Sequence, residues 1–470
     1  ARLRLWSQGI VATGLTMNYL LISAAGKSSG KTAVGVGLAA ALCRRGMKVA
    51  PFKKGPDYID PMWLSQAAGR TCWNLDFFTM ESDEINACFD QARQGVDVVL
   101  VEGTKGLHDG VDVNGKDSNA ALAHQLGLPV VLVLDARGIT RGIAPLLQGT
   151  ASFDTTIQIA GVILNFVAGE RHEQKLRAAL SRYTDIPVLG AIRRDPDMVI
   201  GERHLGLVTV SEHMYGQAQI DRMAQLVEQQ VDIPELLRRT VITDISPRPA
   251  VTPSPAQLTA KVRIAIAKDA AFGFYYPDDL AAFGRAGAEL VPFDTLNHAR
   301  LPAVDGLFIG GGFPESFIST LAANQTLQRD IRDFIKNGGP SYAECGGLMY
   351  LCRSLRWHED YGEMVGVIPA DAVIEKKPVG RGYARFQPRE AHPWPSINGD
   401  ECPAHEFHYA QLLSLPGNTR WASSVTRGHG IDGKHDGIVY RNLLAGFLHQ
   451  RHGAANPWVD RFVDFVRHCS

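Results

Sequence analysis

Residues Glu344-Cys345-Gly346-Gly347 follow a short run, Pro340 to Ala343, and precede a helix-like Leu348, Met349, Leu351. That order is a strand, a sharp turn carrying a nucleophile, and a helix. The glycines let the backbone bend tightly and aim N–H groups at a developing oxyanion. A helix N-terminus favours the thiolate, the reactive form of cysteine. A small core cysteine in a Gly-rich turn gives the same local pattern. Two distant stretches add chemistry. Gly306-Leu-Phe-Ile-Gly-Gly-Gly-Phe-Pro-Glu315 reads as an apolar strand ending in a glycine triplet, so the amides of Gly311 and Gly312 can complete an oxyanion hole with Gly346. Leu444 to Gln450 is another apolar run, and it delivers His449 as the base for Cys345.

The N-terminal half carries a second kind of chemistry. The strand-like Tyr19 to Ser23 leads into Ala25-Gly26-Lys27-Ser28-Ser29-Gly30-Lys31-Thr32, followed by a helix to Arg45. Backbone N–H groups from Gly26 through Gly30 cradle phosphates, Lys31 reaches the outer phosphates, and the Thr32 hydroxyl can ligate magnesium. Ala25 stands where such loops usually begin with glycine, so the loop is a variant. A second strand, Lys48 to Phe52, runs into Lys53-Lys54-Gly55-Pro56-Asp57-Tyr58-Ile59-Asp60-Pro61. Its two acids form a stiff loop, or simply cap the helix that follows. A third strand ends in Glu102, the place of a magnesium-binding acid in phosphate-loop enzymes; a strand-end residue facing water is the alternative.

From Lys261 onward the chain resembles a class I glutamine amidotransferase domain. The motifs are Gly-Gly-Gly-Phe-Pro-Glu (310–315), Glu-Cys-Gly-Gly-Leu-Met-Tyr (344–350), His-Glu-Phe-His-Tyr (405–409) and Phe-Leu-His (447–449). The resemblance is to the variety fused to cobyrinic acid a,c-diamide synthases. The synthetase half of that family, related to dethiobiotin synthetase, is matched by Pro51 to Pro61, Val101 to Gly110 and Glu202 to Val208. Position by position, the resemblance implies ATP at Gly26, Ser29, Gly30, Lys31, Thr32 and, for adenine, Asn165. It implies magnesium at Thr32, Asp57 and Glu102, and substrate contacts at Asp57, Tyr58 and Asp60. It implies Cys345 and His449 as the amidotransferase pair, without a triad acid, so Glu406 is left outside the catalytic set. The family's Glu-Gly-Val-Met-Gly-Leu-Tyr-Asp-Gly is here Glu-Gly-Thr-Lys-Gly-Leu-His-Asp-Gly, which leaves a sirohaem-type ring as an alternative substrate.

A carboxylate does not react with ammonia, because its leaving group would be oxide. Phosphorylation by ATP makes an acyl phosphate, and glutamine hydrolysis at Cys345 supplies unprotonated ammonia. The expected activity is therefore ATP- and glutamine-dependent amidation of peripheral acetates of a tetrapyrrole, at the a and c positions. A phosphate-loop ATPase switch is the more distant reading; it needs an amphipathic membrane helix that the sequence does not offer.

These residues must be positioned by strands alternating with helices, which means a parallel sheet covered on both faces with ligands at the carboxyl ends. The expected fold is α/β in two domains: a phosphate-loop parallel sheet over 17–243 and an amidotransferase-like α/β domain over 261–470. Residues 244–260, with four prolines, read as an extended linker, and 1–16 as a disordered or non-native extension. At 470 residues the chain exceeds one ordinary core, and 45% apolar with 21% charged residues is normal for a globular enzyme. Lys plus Arg total 48 against 49 Asp plus Glu, a balance without the basic excess of nucleic-acid binders. Seven cysteines without Cys-x-x-Cys spacing point to reduced thiols in the cytoplasm rather than disulfides or zinc. No apolar run is long enough to cross a membrane. The expected partners are ATP with magnesium, L-glutamine and a tetrapyrrole polycarboxylate; a homodimer is one assembly such a chain could form.

Overall fold

A computed structural model describes residues 17–198, 200–203, 206–207, 216–242, 261–394 and 400–469. The expected linker, the N-terminal extension and part of the Glu202 to Val208 motif lie outside these residues. The described residues form two compact units. One comprises 17–50, 93–196 and 223–242; the other comprises 51–92, the described part of 197–222, and 261–469. The grouping cuts across the sequence-based boundary, because residues 51–92 fall in with the C-terminal half.

The first unit is built on strands whose residues are almost all buried, as expected when helices cover both faces of a parallel sheet. Its strands are β1 (Met17–Ala24), β4 (Val98–Glu102), β5 (Val130–Asp135), β6 (Ile159–Val167) and β7 (Val188–Arg193), in spatial order β4-β1-β5-β6-β7. The intervening β2 (Val49–Lys54) pairs in parallel with β3 (Trp73–Leu75). Val241–Ile242 adds antiparallel to the start of β1. The helix α1 (Lys31–Arg44) buries Val34, Val36, Leu38 and Leu42, and Gly37 lets it approach the backbone of Met223: a Cβ there would lie 2.8 Å from the Met223 carbonyl. The parallel register sets Ile22 beside Glu102 and Asp135 beside Asn165. The phosphate loop and its candidate partners thus share the carboxyl ends of neighbouring strands.

In the second unit a ten-stranded sheet begins with parallel strands and ends antiparallel. Its order is 288–293, 262–267, 306–309, 341–344, 443–446, 435–440, 421–427, 380–388, 402–408 and 449–450. Parallel pairing of 341–344 with 443–446 puts Glu344 beside Gly446, so both chains leave the sheet at one end. One carries Cys345 out and the other carries His449. A core of Leu307, Ile309, Leu348, Phe447 and their neighbours packs one face, and Phe308, Tyr342, Trp458 and Phe462 pack another. A four-stranded sheet, 360–363, 352–357, 368–374 and 410–413, completes the unit.

Candidate active site

Cys345 sits between the strand Ser341–Glu344 and the helix Gly346–Leu351 with φ +47° and ψ −98°. That is a strained conformation for a non-glycine residue, of the sort found where a side chain is held for chemistry. The glycines that follow are demanded by space: a Cβ on Gly347 would come within 2.1 Å of the Ile309 carbonyl oxygen. One on Gly346 would meet the amide nitrogen of Gly312 at 3.0 Å. Gly311 and Gly312 pair antiparallel with Phe274 and Phe272, and a Cβ on Gly311 would lie 2.6 Å from the His449 ring. The three glycines expected to form the oxyanion hole are therefore gathered around the cysteine and the imidazole. The helix expected to favour the thiolate is six residues long, and the near partner of the sulfur is His449.

His449 is buried, on a two-residue strand opposite His405. Its Nδ1 lies 3.5 Å from Oε2 of Glu344. Burial by itself would lower the imidazole pKa, but Cys345 and Glu344 outweigh it and raise it to about 10. Glu344 is buried as well: its Oε1 accepts from the Tyr342 hydroxyl at 2.5 Å and from the Gln450 amide at 3.0 Å. Glu406, by contrast, accepts the amides of His429 and Gly430 at 2.7 and 2.9 Å, and so organises the 428–430 loop. His405 is held neutral, its pKa pushed down to about 3 by burial and then by His449.

Tyr58, expected among the substrate contacts, lies against this imidazole. Its ring stacks on Phe274 at 5.1 Å, tilts against Tyr276 at 4.5 Å and reaches His449 at 5.3 Å. The Tyr276 hydroxyl donates to the Pro56 carbonyl at 3.0 Å. The loop that carries Tyr58 is stiff by construction of its own side chains. Asp57 Oδ1 accepts the amides of Ile59 and Asp60 at 2.8 and 2.9 Å, capping the helix α2 (Ile59–Ala68). Asp60 is buried and forms an ion pair with Lys53 at 2.5 Å. Sequence reasoning placed these acids on one loop; in the structure both also serve to hold that loop.

In the first unit the Thr32 hydroxyl donates to Glu102 at 2.6 Å, so two of the three expected magnesium ligands meet, whereas the third, Asp57, has Oδ1 engaged by the amides of Ile59 and Asp60. Ser28 and Gly30 have φ of +56° and +80°. A Cβ on Gly30 would strike Asn165 Nδ2 at 2.2 Å, whereas one on Gly26 would meet nothing within 4 Å. Asn165 is buried; it donates to the Ser29 carbonyl at 2.8 Å and leaves Oδ1 without a partner. That orphaned acceptor could take an amino group of a base. Arg137 donates to the Ser28 carbonyl at 3.2 Å and lies over the Phe166 ring at 4.5 Å. Among the described residues no group of three or more His, Cys, Asp or Glu could hold a metal. The Thr32–Glu102 oxygens nonetheless suit magnesium, which takes one or two protein ligands and completes its shell with phosphate and water.

The comparisons agree with both halves. Residues 263–457 match the CobB/CobQ-like glutamine amidotransferase domain, and residues 21–207 match the CobQ/CobB/MinD/ParA nucleotide binding domain. A relative from Magnetococcus marinus named cobyrinate a,c-diamide synthase is 45% identical, over 95% of this chain and 97% of its own. The chain belongs to the cobyrinate a,c-diamide synthase family. Members of the same name from Methanosarcina acetivorans and Picrophilus torridus are each 37% identical, the first covering 93% and the second 97% of this chain, with 92% and 99% of their own lengths matched. Like the family, the chain is a glutamine-dependent amide ligase with an N-terminal nucleotide-binding domain. Two contributors escaped sequence reasoning in this family member. Glu344 was read only as part of a turn motif, although its position directly before the cysteine was a signal. Asn119, the first residue of the helix Asn119–Leu126, is fully buried and donates to the Ser23 hydroxyl and to the carbonyls of Thr104 and Gly106, fixing the loop after Glu102; nothing in its local sequence marks it.

Proposed function

We propose that this enzyme amidates the a and c acetate carboxylates of cobyrinate, using ATP and L-glutamine. The observation that carries the proposal is the presence, in one chain, of a Cys345–His449 pair and a phosphate loop closed by Thr32 and Glu102. The ring is inferred from full-length relatives named for it.

In the amidotransferase unit, Cys345 sulfur bonds to the side-chain carbonyl carbon of glutamine. The oxyanion is met by the amides of Gly346 and the Gly311–Gly312 segment. His449 gives a proton to the departing nitrogen, the C–N bond breaks, and ammonia leaves. Water then cleaves the thioester to glutamate, with His449 taking the proton. In the nucleotide-binding unit, a substrate carboxylate oxygen attacks the γ-phosphorus of ATP and ADP departs. The loop amides and Lys31 hold the phosphates in line, and Asn165 offers its free Oδ1 to the base. Thr32 and Glu102 would hold magnesium, which when bound offsets phosphate charge. Asp57, Tyr58 and Asp60 shape the loop proposed to meet the substrate. Ammonia attacks the acyl phosphate, phosphate leaves, and the amide remains. No described helix is long and apolar enough to cross a membrane; dependence on ATP and glutamine supports a cytoplasmic setting.

The test is mass spectrometry of products from cobyrinic acid and from sirohaem, each with ATP and glutamine. Two successive amidations of cobyrinic acid are expected, and amidation of sirohaem alone would overturn the ring assignment. Cys345→Ala should abolish glutamine use and retain amidation with added ammonium salts. Loss of both in a folded variant would contradict the division of labour.

A further inference from the structure

We infer that Glu344 is a positioning residue for glutamine hydrolysis, its buried carboxylate fixing the orientation and charge of His449 beside Cys345. The inference rests on Cys345 and His449 being the amidotransferase pair. The imidazole contacts the thiol and also lies 3.5 Å, at Nδ1, from Glu344 Oε2. A base touching its nucleophile and oriented by a third group is the general arrangement for activating a weak nucleophile. Here the third group comes from the residue immediately before the cysteine.

Three observations make the contact more than proximity. The other oxygen of Glu344 is anchored by the Tyr342 hydroxyl and by the amide of Gln450, the residue next to His449. Tyr342 accepts in turn from Gln450 Nε2 at 2.8 Å, and Gln450 Oε1 accepts from Asn456 at 3.0 Å. The carboxylate therefore cannot swing away without breaking a buried network. Burying a carboxylate is costly unless a partner answers it, and the imidazole of His449 lies within ion-pair distance. Finally, the acid from the His-Glu-Phe-His motif, Glu406, is spent on the backbone of another loop. The titratable groups facing the pair are Cys345, His405 and Tyr58 around the imidazole, and Tyr342, Tyr275 and Asp279 around the carboxylate.

The full-length enzyme with Glu344→Gln and, separately, Glu344→Asp is assayed for glutamine hydrolysis across pH, with thermal unfolding as the fold check. Glu344→Gln should lower kcat by roughly 10²–10⁴-fold with KM for glutamine little changed. Without the carboxylate His449 loses its proton more readily, so the alkaline limb of the profile should move to lower pH by about one unit or more. Glu344→Asp should restore part of both. Unchanged kcat in Glu344→Gln, or reduced kcat with an unmoved alkaline limb, overturns the inference and leaves Glu344 a structural residue. If Glu344→Gln unfolds, Glu344→Asp decides alone: a displaced limb supports the role and a wild-type profile overturns it. A Cys345→Ala enzyme that still hydrolyses glutamine would instead sink the assignment of the nucleophile.

Discussion

Single atoms decide much at the two glycine turns. Gly30 holds φ +80° with Asn165 Nδ2 where its Cβ would be, while Gly26 has open space. Gly30→Ala should cost about 1–2 kcal/mol from the left-handed backbone alone, and more from displacing the Asn165 bond to Ser29. The expected result is a lower melting temperature together with an ATP KM raised at least several-fold. Gly26→Ala should leave the melting temperature where it was, since nothing is crowded. At the cysteine turn, Gly347→Ala would force a methyl into the Ile309 carbonyl, a backbone atom that cannot step aside. Glutamine hydrolysis should fall much further than amidation from ammonium salts, because the displaced turn carries Cys345. A wild-type ratio of the two activities would show that the turn tolerates the shift.

At the scale of elements, the hairpin strands 435–440 and 443–446 present His449. Asp436 fastens that presentation: its carboxylate accepts the amides of Phe447 and Leu448 at 3.0 and 3.3 Å. Burial raises its pKa to about 7, against backbone hydrogen bonds that pull it down. The protonated form is thus favoured in the native state. Its contribution is fully present below the unfolded carboxylate value near 3.8 and is lost as pH rises toward about 7. Asp436→Asn should flatten the fall in melting temperature between pH 5 and 7, and an unchanged slope would locate that fall elsewhere. A second element-scale contact explains why residues 51–92 fall in with the C-terminal half. Arg451 is buried, pairs with Asp278 at 2.8 Å, donates to the Asn74 carbonyl at 2.7 Å and covers the Tyr276 ring at 4.8 Å. The Tyr383 hydroxyl reaches Asp76 from another strand of the same sheet. Arg451→Met leaves Asp278 without its guanidinium and should cost about 3–5 kcal/mol, read as a lower urea midpoint.

For the whole molecule, the two chemistries are separable in principle, since the phosphate loop with Thr32 and Glu102 lies in one unit and Cys345 with His449 in the other. Ammonia-driven amidation should fall about tenfold for each unit that pH drops below the ammonium pKa, because only the free base attacks. Glutamine-driven amidation should hold up better over the same range, as the amine is released unprotonated. Parallel falls in the two rates would mean that released ammonia equilibrates with solvent before use. The motifs behind this scheme were legible along the chain because each is local. A strand, a loop of special backbone angles and a helix start are written within about a dozen consecutive residues, as at Gly30-Lys31-Thr32 and Glu344-Cys345-Gly346. The meeting of Thr32 with Glu102, by contrast, is set by the pairing of the strands Met17–Ala24 and Val98–Glu102. Partners set by register between distant strands were not legible. Glu344 reaches His449 because its strand lies beside Leu443–Gly446, and Tyr58 reaches the same ring because an aromatic strand at 272–274 stacks on it. The sequence by itself determined which chemistries the chain holds; tertiary structure alone decided which carboxylate and which ring surround the imidazole. The reason is physical: residue types and turn geometry are fixed by neighbours in the chain, whereas burial and side-chain pairing are fixed by neighbours in space.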